Sequence, residues 1–153
     1  MIFDNLFLEF IDALNKNDAK YVLIGGYAVI IHGGNRLTGD MDIFIQRNKE
    51  NAVKVLRAIN DFGLGSIGFT EEDLTNEDMV IQMGIVPFRI DILNSIPGVT
   101  FEEAYNTAIT YEEGGIEVKC IHINQLLANK KAVARNKDLM DVKTLEKILK
   151  RKK

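Results

Sequence analysis

Hydrophobic residues near the start of the chain recur at the three- and four-residue spacing of an amphipathic helix. The residues that share this face are Leu6, Phe7, Phe10, Ile11 and Leu14. An apolar run over residues 21–24 follows, and Gly25-Gly26 closes it, which predicts a buried strand that ends in a tight turn. Residues 27–32 are again mostly apolar and end at Gly33-Gly34, so they predict a short helix.

Alternation of apolar and acidic residues marks the next element. Met41, Ile43 and Ile45 alternate with Asp40 and Asp42, which predicts a second strand with its apolar side chains in the core. A helix is expected next: Asn48 is its candidate cap, Gly63 ends it, and its apolar face is formed by Ala52, Val53, Leu56 and Ile59. Residues 64–78 are rich in glycine and acids, so they predict a mobile connection with one helical turn after Thr70.

The second half of the chain predicts two hairpins followed by helices. Residues 79–83 and 88–93 form an antiparallel pair separated by Gly84 and Pro87, and residues 108–111 and 116–121 form a hairpin around Gly114-Gly115. Thr100 and Glu103 predict a capping box for a short helix between the two hairpins. From residue 123 onward the pattern is helical, with a break near Asn136.

This order of elements predicts an α+β fold, a mixed β-sheet flanked by helices. Residues 1–122 are expected to form the core, and residues 123–153 are expected to form a short helical extension packed on it, within one compact unit. The apolar fraction of 46% is enough for an ordinary buried core.

Composition excludes several classes of protein. The uncharged stretch at residues 21–31 is well short of the roughly 20 residues that a membrane span needs. The first residues carry no basic region ahead of an apolar run, so no secretory signal is predicted. Cys120 is the only cysteine, which excludes an internal disulfide and a cysteine-based zinc cluster and predicts a buried structural thiol. These features fit a cytoplasmic protein.

Charge is distributed unevenly along the chain. The net charge is −3, yet residues 130–153 contain ten Lys and Arg against three acids. Such a segment could face a polyanion, or it could be a solvated helix with a frayed basic end. Within it, Asp138 and Asp141 are predicted to cap or charge-balance the last helix.

The candidate chemistry lies at Asp40 and Asp42. Side chains alternate along a strand, so both acids project from one face with their backbone carbons about 7 Å apart. Two carboxylates at this spacing repel unless a positive group lies between them, and a hard cation such as Mg²⁺ prefers oxygen ligands. Gly25-Gly26, between a strand and a helix start, would let a phosphate approach the backbone.

Asp91 is a third acid within an apolar strand. Arg89 and Asp91 share one face, and Phe88, Ile90 and Ile92 share the other. An acid in such a strand is seldom buried without a partner. Asp91 could complete a three-carboxylate cluster if its strand lies beside that of Asp40, or it could pair with Arg89 or a distant lysine.

Taken together, these motifs resemble the DNA polymerase beta-like nucleotidyltransferase superfamily. The shared pattern is an apolar-Gly-Gly turn, a gap of thirteen residues, Asp40-Met41-Asp42-Ile43, and a later Asp in a strand. Within it, the chain is similar to small prokaryotic members related to abortive-infection toxins and antibiotic adenylyltransferases, over residues 20–145. Residues 36–39 and the basic-acidic run over residues 129–141 add to the likeness. Many members have Gly-Ser where this chain has Gly25-Gly26.

The resemblance implies a nucleotidyltransferase fold and a two-metal reaction. Asp40 and Asp42 would hold two Mg²⁺ ions, for which Mn²⁺ can substitute, and Asp91 would bind the ion near the attacking hydroxyl and help to deprotonate it. A nucleoside monophosphate would pass from an NTP such as ATP to a hydroxyl, releasing pyrophosphate. The residues predicted on the nucleotide side are Gly25, Gly26, Arg36, Thr38, Lys130 and Lys131.

Several alternatives stay open at this point. Arg36 and Thr38 could contact phosphates or cap a loop, and the basic residues Lys130, Lys131, Arg135 and Lys137 could face a triphosphate, an RNA acceptor or solvent. The acceptor could be a tRNA end, a protein side chain or a small antibiotic-like alcohol. By analogy the chain could be the toxin of a toxin–antitoxin pair, with a cognate antitoxin as partner. The rival functions are an inactive member that binds nucleotide or a partner, and a plain interaction module.

Overall fold

The computed structural model of the protein describes residues 1–85 and 87–152 and contains a single β-sheet. Its strands are β1 (Tyr21–Ile24), β2 (Asp40–Ile45), β3 (Val80–Ile85), β4 (Phe88–Leu93), β5 (Ile109–Glu113) and β6 (Ile116–Cys120). Its helices are α1 (Asn5–Lys16), α2 (Gly25–Ile31), α3 (Lys49–Asp61), α4 (Glu71–Thr75), α5 (Phe101–Asn106), α6 (Ile123–Val133) and α7 (Asn136–Arg151), with a 3₁₀ turn at Gly65–Ile67. Lys153, the last residue of the predicted extension, lies outside the described residues.

The sheet is mixed, with the strand order β3-β4-β2-β1-β6-β5. The pairs β3–β4, β1–β2 and β5–β6 are antiparallel, whereas β2–β4 and β1–β6 are parallel. The α+β class and both hairpins predicted from the sequence are therefore confirmed. None of the helices described is long and apolar enough to cross a membrane.

The hydrophobic core is centred on β1 and β2. All four residues of β1 are buried, as are Met41, Ile43 and Ile45 of β2, as their alternation with acids predicts. Helix α1 packs against α3 and β6, and it buries the apolar face expected from its spacing apart from the partly exposed Leu6. Burial of this kind stabilises the fold by about 25 cal/mol per Å² of apolar surface and holds β2 rigidly beneath its acids.

Local capping follows the sequence closely. Asn48 accepts a hydrogen bond from the Asn51 N–H at the start of α3, and Thr70 forms a capping box at the start of α4. Several boundaries differ from the prediction: α2 begins at Gly25 itself rather than after the glycine pair, and β3 continues through the predicted break at Gly84. Gly25 has a φ of +71°, so the chain turns from β1 directly into the helix at this residue.

Candidate functional site

Acidic residues from β2 and β4 meet at one edge of a cavity of about 220 Å³. Because the two strands are parallel neighbours, Asp42 lies opposite Asp91, and Asp40 lies opposite Arg89. Asp91 is buried, whereas Asp40 and Asp42 are only partly covered. All four of these residues line the cavity together with Gly25. The structure thus brings together the three acids that the sequence singled out.

Arg89 binds two of these carboxylates at once. Its Nη2 lies 2.8 Å from Asp40 Oδ2 and 3.2 Å from Asp91 Oδ2, and its Nε lies 2.9 Å from Asp91 Oδ1. The pairing of Asp91 with Arg89, one of the alternatives open from the sequence, is therefore confirmed. Because a bidentate guanidinium–carboxylate contact is among the stronger polar contacts, Arg89 links β4 to β2 across the site.

Asp42 differs from its two acidic neighbours because it takes no part in the ion pairs formed within the described residues. Burial raises the pKa of Asp42 to about 6, and repulsion from Asp91 and Asp40 adds to the rise. Lys130 and Lys137 oppose this shift but do not cancel it. Asp42 is therefore the one of the three acids whose carboxylate has no ion-pair partner within the described residues.

The corner at Gly25 comes very close to this acid. A Cβ built at Gly25 would collide with Asp42 Oδ2, so a side chain here would displace the carboxylate. A Cβ at Gly26 would lie 2.8 Å from the Thr38 side chain. Thr38 in turn donates its hydroxyl to the Asp40 carbonyl at 3.2 Å. The glycine pair thus allows the turn between β1 and α2 to pack directly on the segment that leads into β2.

A buried network of charges forms the opposite wall of the cavity. Lys130 Nζ on α6 lies 3.1 Å from Asp138 Oδ1 and 3.0 Å from Asp141 Oδ2, both on α7. Arg135 Nε binds Asp138 at 2.7 Å, and Arg36 Nη1 binds Asp141 at 2.6 Å. Burial alone would raise the pKa of Asp138, but its bonds to Arg135 and Lys130 lower it below the usual range. The predicted role of both acids in capping and charge balance is confirmed.

A model of one protein family matches residues 4–153, almost the whole chain. Its description reads nucleotidyl transferase of unknown function (DUF2204). The chain belongs to this family. The resemblance inferred from the sequence is thereby confirmed, and so is the prediction of a nucleotidyltransferase enzyme. No curated protein matches the chain significantly.

Solved structures with the same fold include proteins described as nucleotidyltransferases or as nucleotidyltransferase-like. A Thermotoga maritima protein provisionally described as a nucleotidyltransferase has a TM-score of 0.60 at 14% identity, covering 96% of this chain and 92% of its own. The antibiotic-resistance factor ANT(2'')-Ia has a TM-score of 0.61 at 14% identity, covering 95% and 83%. An antigenic nucleotidyltransferase-like protein from Paracoccidioides brasiliensis has a TM-score of 0.58 at 15% identity, covering 88% and 71%.

In this nucleotidyltransferase the residues predicted on the nucleotide side are spread over four environments. Gly25 and Lys130 line the cavity. Gly26 and Thr38 pack against each other behind it, and Arg36 is held by Asp141. Lys131, next to Lys130, is exposed and is absent from the described lining of the cavity, so the structure does not bring it to the acids.

Other lining residues went unassigned or undecided in the sequence. Asn129 is buried and donates to the Pro97 carbonyl at 3.0 Å, which ties α6 to the segment after β4. The sequence offered no signal for this pairing. Arg135 and Lys137, left open between phosphate and solvent, both line the cavity with exposed side chains. Arg89 was visible only as a neighbour of Asp91 on the same strand face.

The oxygen-only donor set suits a hard cation, but the acids do not converge on one point. Among residues 1–85 and 87–152, no group of three or more His, Cys, Asp or Glu side chains is gathered closely enough to hold a metal ion. Two of the acids instead contact Arg89, whose guanidinium pairs with both Asp40 and Asp91. The roles of Asp40, Asp42 and Asp91 as metal ligands therefore remain a prediction.

Proposed function

We propose that this nucleotidyltransferase transfers a nucleoside monophosphate from an NTP to a hydroxyl acceptor in a Mg²⁺-dependent reaction. One observation carries the proposal: three carboxylates on neighbouring strands lie beside a glycine corner, in a cavity whose other wall carries lysine and arginine side chains. A nucleoside triphosphate offers what such a cavity needs, because its phosphates are anionic and bring divalent cations with them.

Asp40, Asp42 and Asp91 would hold the magnesium. All their donor atoms are oxygens, which hard cations prefer. Burial, with repulsion from Asp91 and Asp40, raises the pKa of Asp42, and a bound cation would relieve that repulsion. The absence of a side chain at Gly25 keeps Asp42 accessible from the cavity. When bound, magnesium would neutralise these carboxylates and stabilise the charge on the attacking and leaving oxygens. The proposed number is two Mg²⁺ ions, and Mn²⁺ could replace them.

The remaining groups supply binding and proton transfer. Lys137, with an exposed side chain on the cavity wall, is suited to the triphosphate, and so is the exposed Arg135, although Arg135 also binds Asp138. Lys130 is buried and already held by two aspartates. In the proposed reaction the acceptor oxygen forms a bond to the α-phosphorus, the bond to pyrophosphate breaks, and the hydroxyl proton passes to Asp91 or to solvent.

The acceptor is proposed to be a tRNA end or another RNA, a protein side chain or a small alcohol. The excess of basic residues at 130–153 favours a polyanion such as RNA. A toxin role with a cognate antitoxin remains a proposal by analogy alone. A reducing cytoplasm is the proposed location, supported by the single, buried Cys120.

The test is transfer of label from each α-labelled NTP to total RNA or to lysate protein in the presence of Mg²⁺. Transfer that is lost in Asp42→Ala but kept in Glu9→Gln, a charge-removing change on the exposed face of α1, would support the proposal. A parent protein that binds nucleotide but transfers no label to any acceptor would refute it.

One observation favours a second candidate, a member that binds nucleotide or a partner without turnover. Arg89 already satisfies two of the three carboxylates, and the acids do not form a ready metal site within the described residues. For such a protein, Asp42→Ala would leave nucleotide binding unchanged, and Mg²⁺ would add nothing to it. For the proposed enzyme, Mg²⁺ would strengthen nucleotide binding, and the Asp42→Ala change would abolish that gain.

A further inference from the structure

Arg89 stands where a cation would be expected among the acids. Its Nη2 is shared between Asp40 Oδ2 at 2.8 Å and Asp91 Oδ2 at 3.2 Å, so a single positively charged nitrogen joins the two strands. The backbone dictates this contact, because Arg89 lies opposite Asp40 in the parallel β2–β4 register and two residues before Asp91 on the same strand face. The guanidinium therefore neutralises a pair of carboxylates that would otherwise repel each other.

The same guanidinium prevents the acids from closing around a common point. The described residues contain no ready group of three metal-ligating side chains, although three carboxylates line one cavity. Arg89 contacts one oxygen of Asp40 and both oxygens of Asp91, so a divalent cation that binds these two carboxylates would compete with the guanidinium for their charge and for the oxygens that it contacts. The Arg89 side chain is 31% exposed, so the cavity leaves it room to move away.

We propose that Arg89 is an internal counter-ion that holds the carboxylates of β2 and β4 together in the metal-free protein and must be displaced when a divalent cation binds. Arg89 thereby sets the affinity of the site for metal. This inference rests on the proposed function, because it assumes that Asp40, Asp42 and Asp91 form the metal site. Arg89 is a positioning residue in this scheme, since it acts through the two aspartates.

The test is a titration with Mn²⁺ alone, followed by electron paramagnetic resonance of the free ion, on the full chain without nucleotide. We expect Arg89→Gln to lower the Kd for Mn²⁺ by about tenfold or more, because the metal no longer competes with charge-assisted hydrogen bonds. Arg47→Gln is the matched control: it removes the same charge from a residue that binds the Thr75 carbonyl outside the cavity, and it should leave the Kd unchanged.

The melting temperature, measured with and without Mn²⁺, distinguishes displacement of Arg89 by metal from a purely structural role of Arg89. In the absence of metal, Arg89→Gln should melt at a lower temperature than the parent, and saturating Mn²⁺ should raise its Tm by more than it raises that of the parent. If Arg89→Gln does not fold, Arg89→Lys is the second variant, because it keeps the charge but loses the planar guanidinium that contacts both carboxylates. Its Kd for Mn²⁺ should be lower than that of the parent.

Two results would overturn the inference. An unchanged or higher Kd for Mn²⁺ in Arg89→Gln, with the parent still binding the ion, would show that Arg89 does not compete, while the proposed function would stand on its transfer assay. Failure of both proteins to bind Mn²⁺ would remove the metal site itself and with it the metal-dependent part of the proposed function.

Discussion

Replacing Asp42 by asparagine should stabilise the metal-free protein, although it should abolish nucleotidyl transfer. In the folded chain, burial and the charges of Asp91 and Asp40 raise the pKa of this carboxyl from 3.8 to about 6. A carboxyl whose pKa is higher in the folded than in the unfolded state lowers the free energy of unfolding, once it is ionised in both states, by about 1.36 kcal/mol per unit of pKa difference. Removing the charge should therefore recover about 3 kcal/mol at a pH where the carboxyl is ionised in both states.

The sign and the pH range follow from proton linkage. Below the unfolded pKa, near pH 4, the carboxyl is protonated in both states, so Asp42→Asn has no effect through charge. Between that pH and about pH 6 the folded state keeps a proton that the unfolded state has lost, and the parent becomes less stable as the pH rises. Above about pH 6 the full penalty applies, whereas at about pH 5 roughly half of it does.

Thermal or urea unfolding in EDTA, at pH 5 and at pH 8, measures the difference. For a chain of this size the expected gain at pH 8 corresponds to a rise in Tm of roughly 6–12 °C. Glu9→Gln, at an exposed position on α1, is the control for loss of one negative charge. Equal stabilisation at both pH values, or destabilisation at pH 8, would refute the electrostatic reasoning.

Two further substitutions test the walls of the cavity. Gly25→Ala should lower the free energy of unfolding in urea by about 1–3 kcal/mol through backbone strain, and it should also weaken Mn²⁺ binding because the new Cβ displaces the Asp42 carboxylate. Gly115→Ala is the control: its φ is +79° and a Cβ there would meet nothing within 4 Å, so it should show the strain alone. Lys130→Met should lower the free energy of unfolding by an amount near the lower end of the range of about 3–5 kcal/mol, because each of the two buried aspartates keeps one arginine partner. Lys131→Met, at an exposed position, should change the free energy of unfolding little. Equal weakening of Mn²⁺ binding in the two glycine variants would contradict the first argument, and equal losses of stability in the two lysine variants would contradict the second.

The sequence predicts the acids better than it predicts their partners. Alternation in β2 requires that Asp40 and Asp42 share a face, and the apolar residues between them require that this face points away from the core. The pairing of β2 with β4 is a parallel contact across a long connection, so no local pattern reveals that Asp91 lies opposite Asp42. The arginine contact with Asp40 depends on the same register.

The basic wall illustrates the same limit at longer range. Arg36 and Asp141 are 105 positions apart, and nothing in either neighbourhood specifies their ion pair. Lys130 and Lys131 read alike in the sequence, yet one is buried among aspartates and the other is exposed. Each lysine follows a buried leucine by four positions, Leu126 and Leu127, so helical spacing alone does not distinguish the two.

The buried ammonium of Lys130 links α6 to α7, and through Asp141 it is linked to the segment that leads into β2. Its only counter-ions among the described residues are two aspartates of α7, and one of these also anchors the segment that leads into β2. In a protein that ends before α7, Lys130 would lose both of its aspartate partners and the helix that packs beside it, and Arg36 would lose the contact that holds its segment. Helix α7 therefore stabilises both the basic wall of the cavity and the entry to β2.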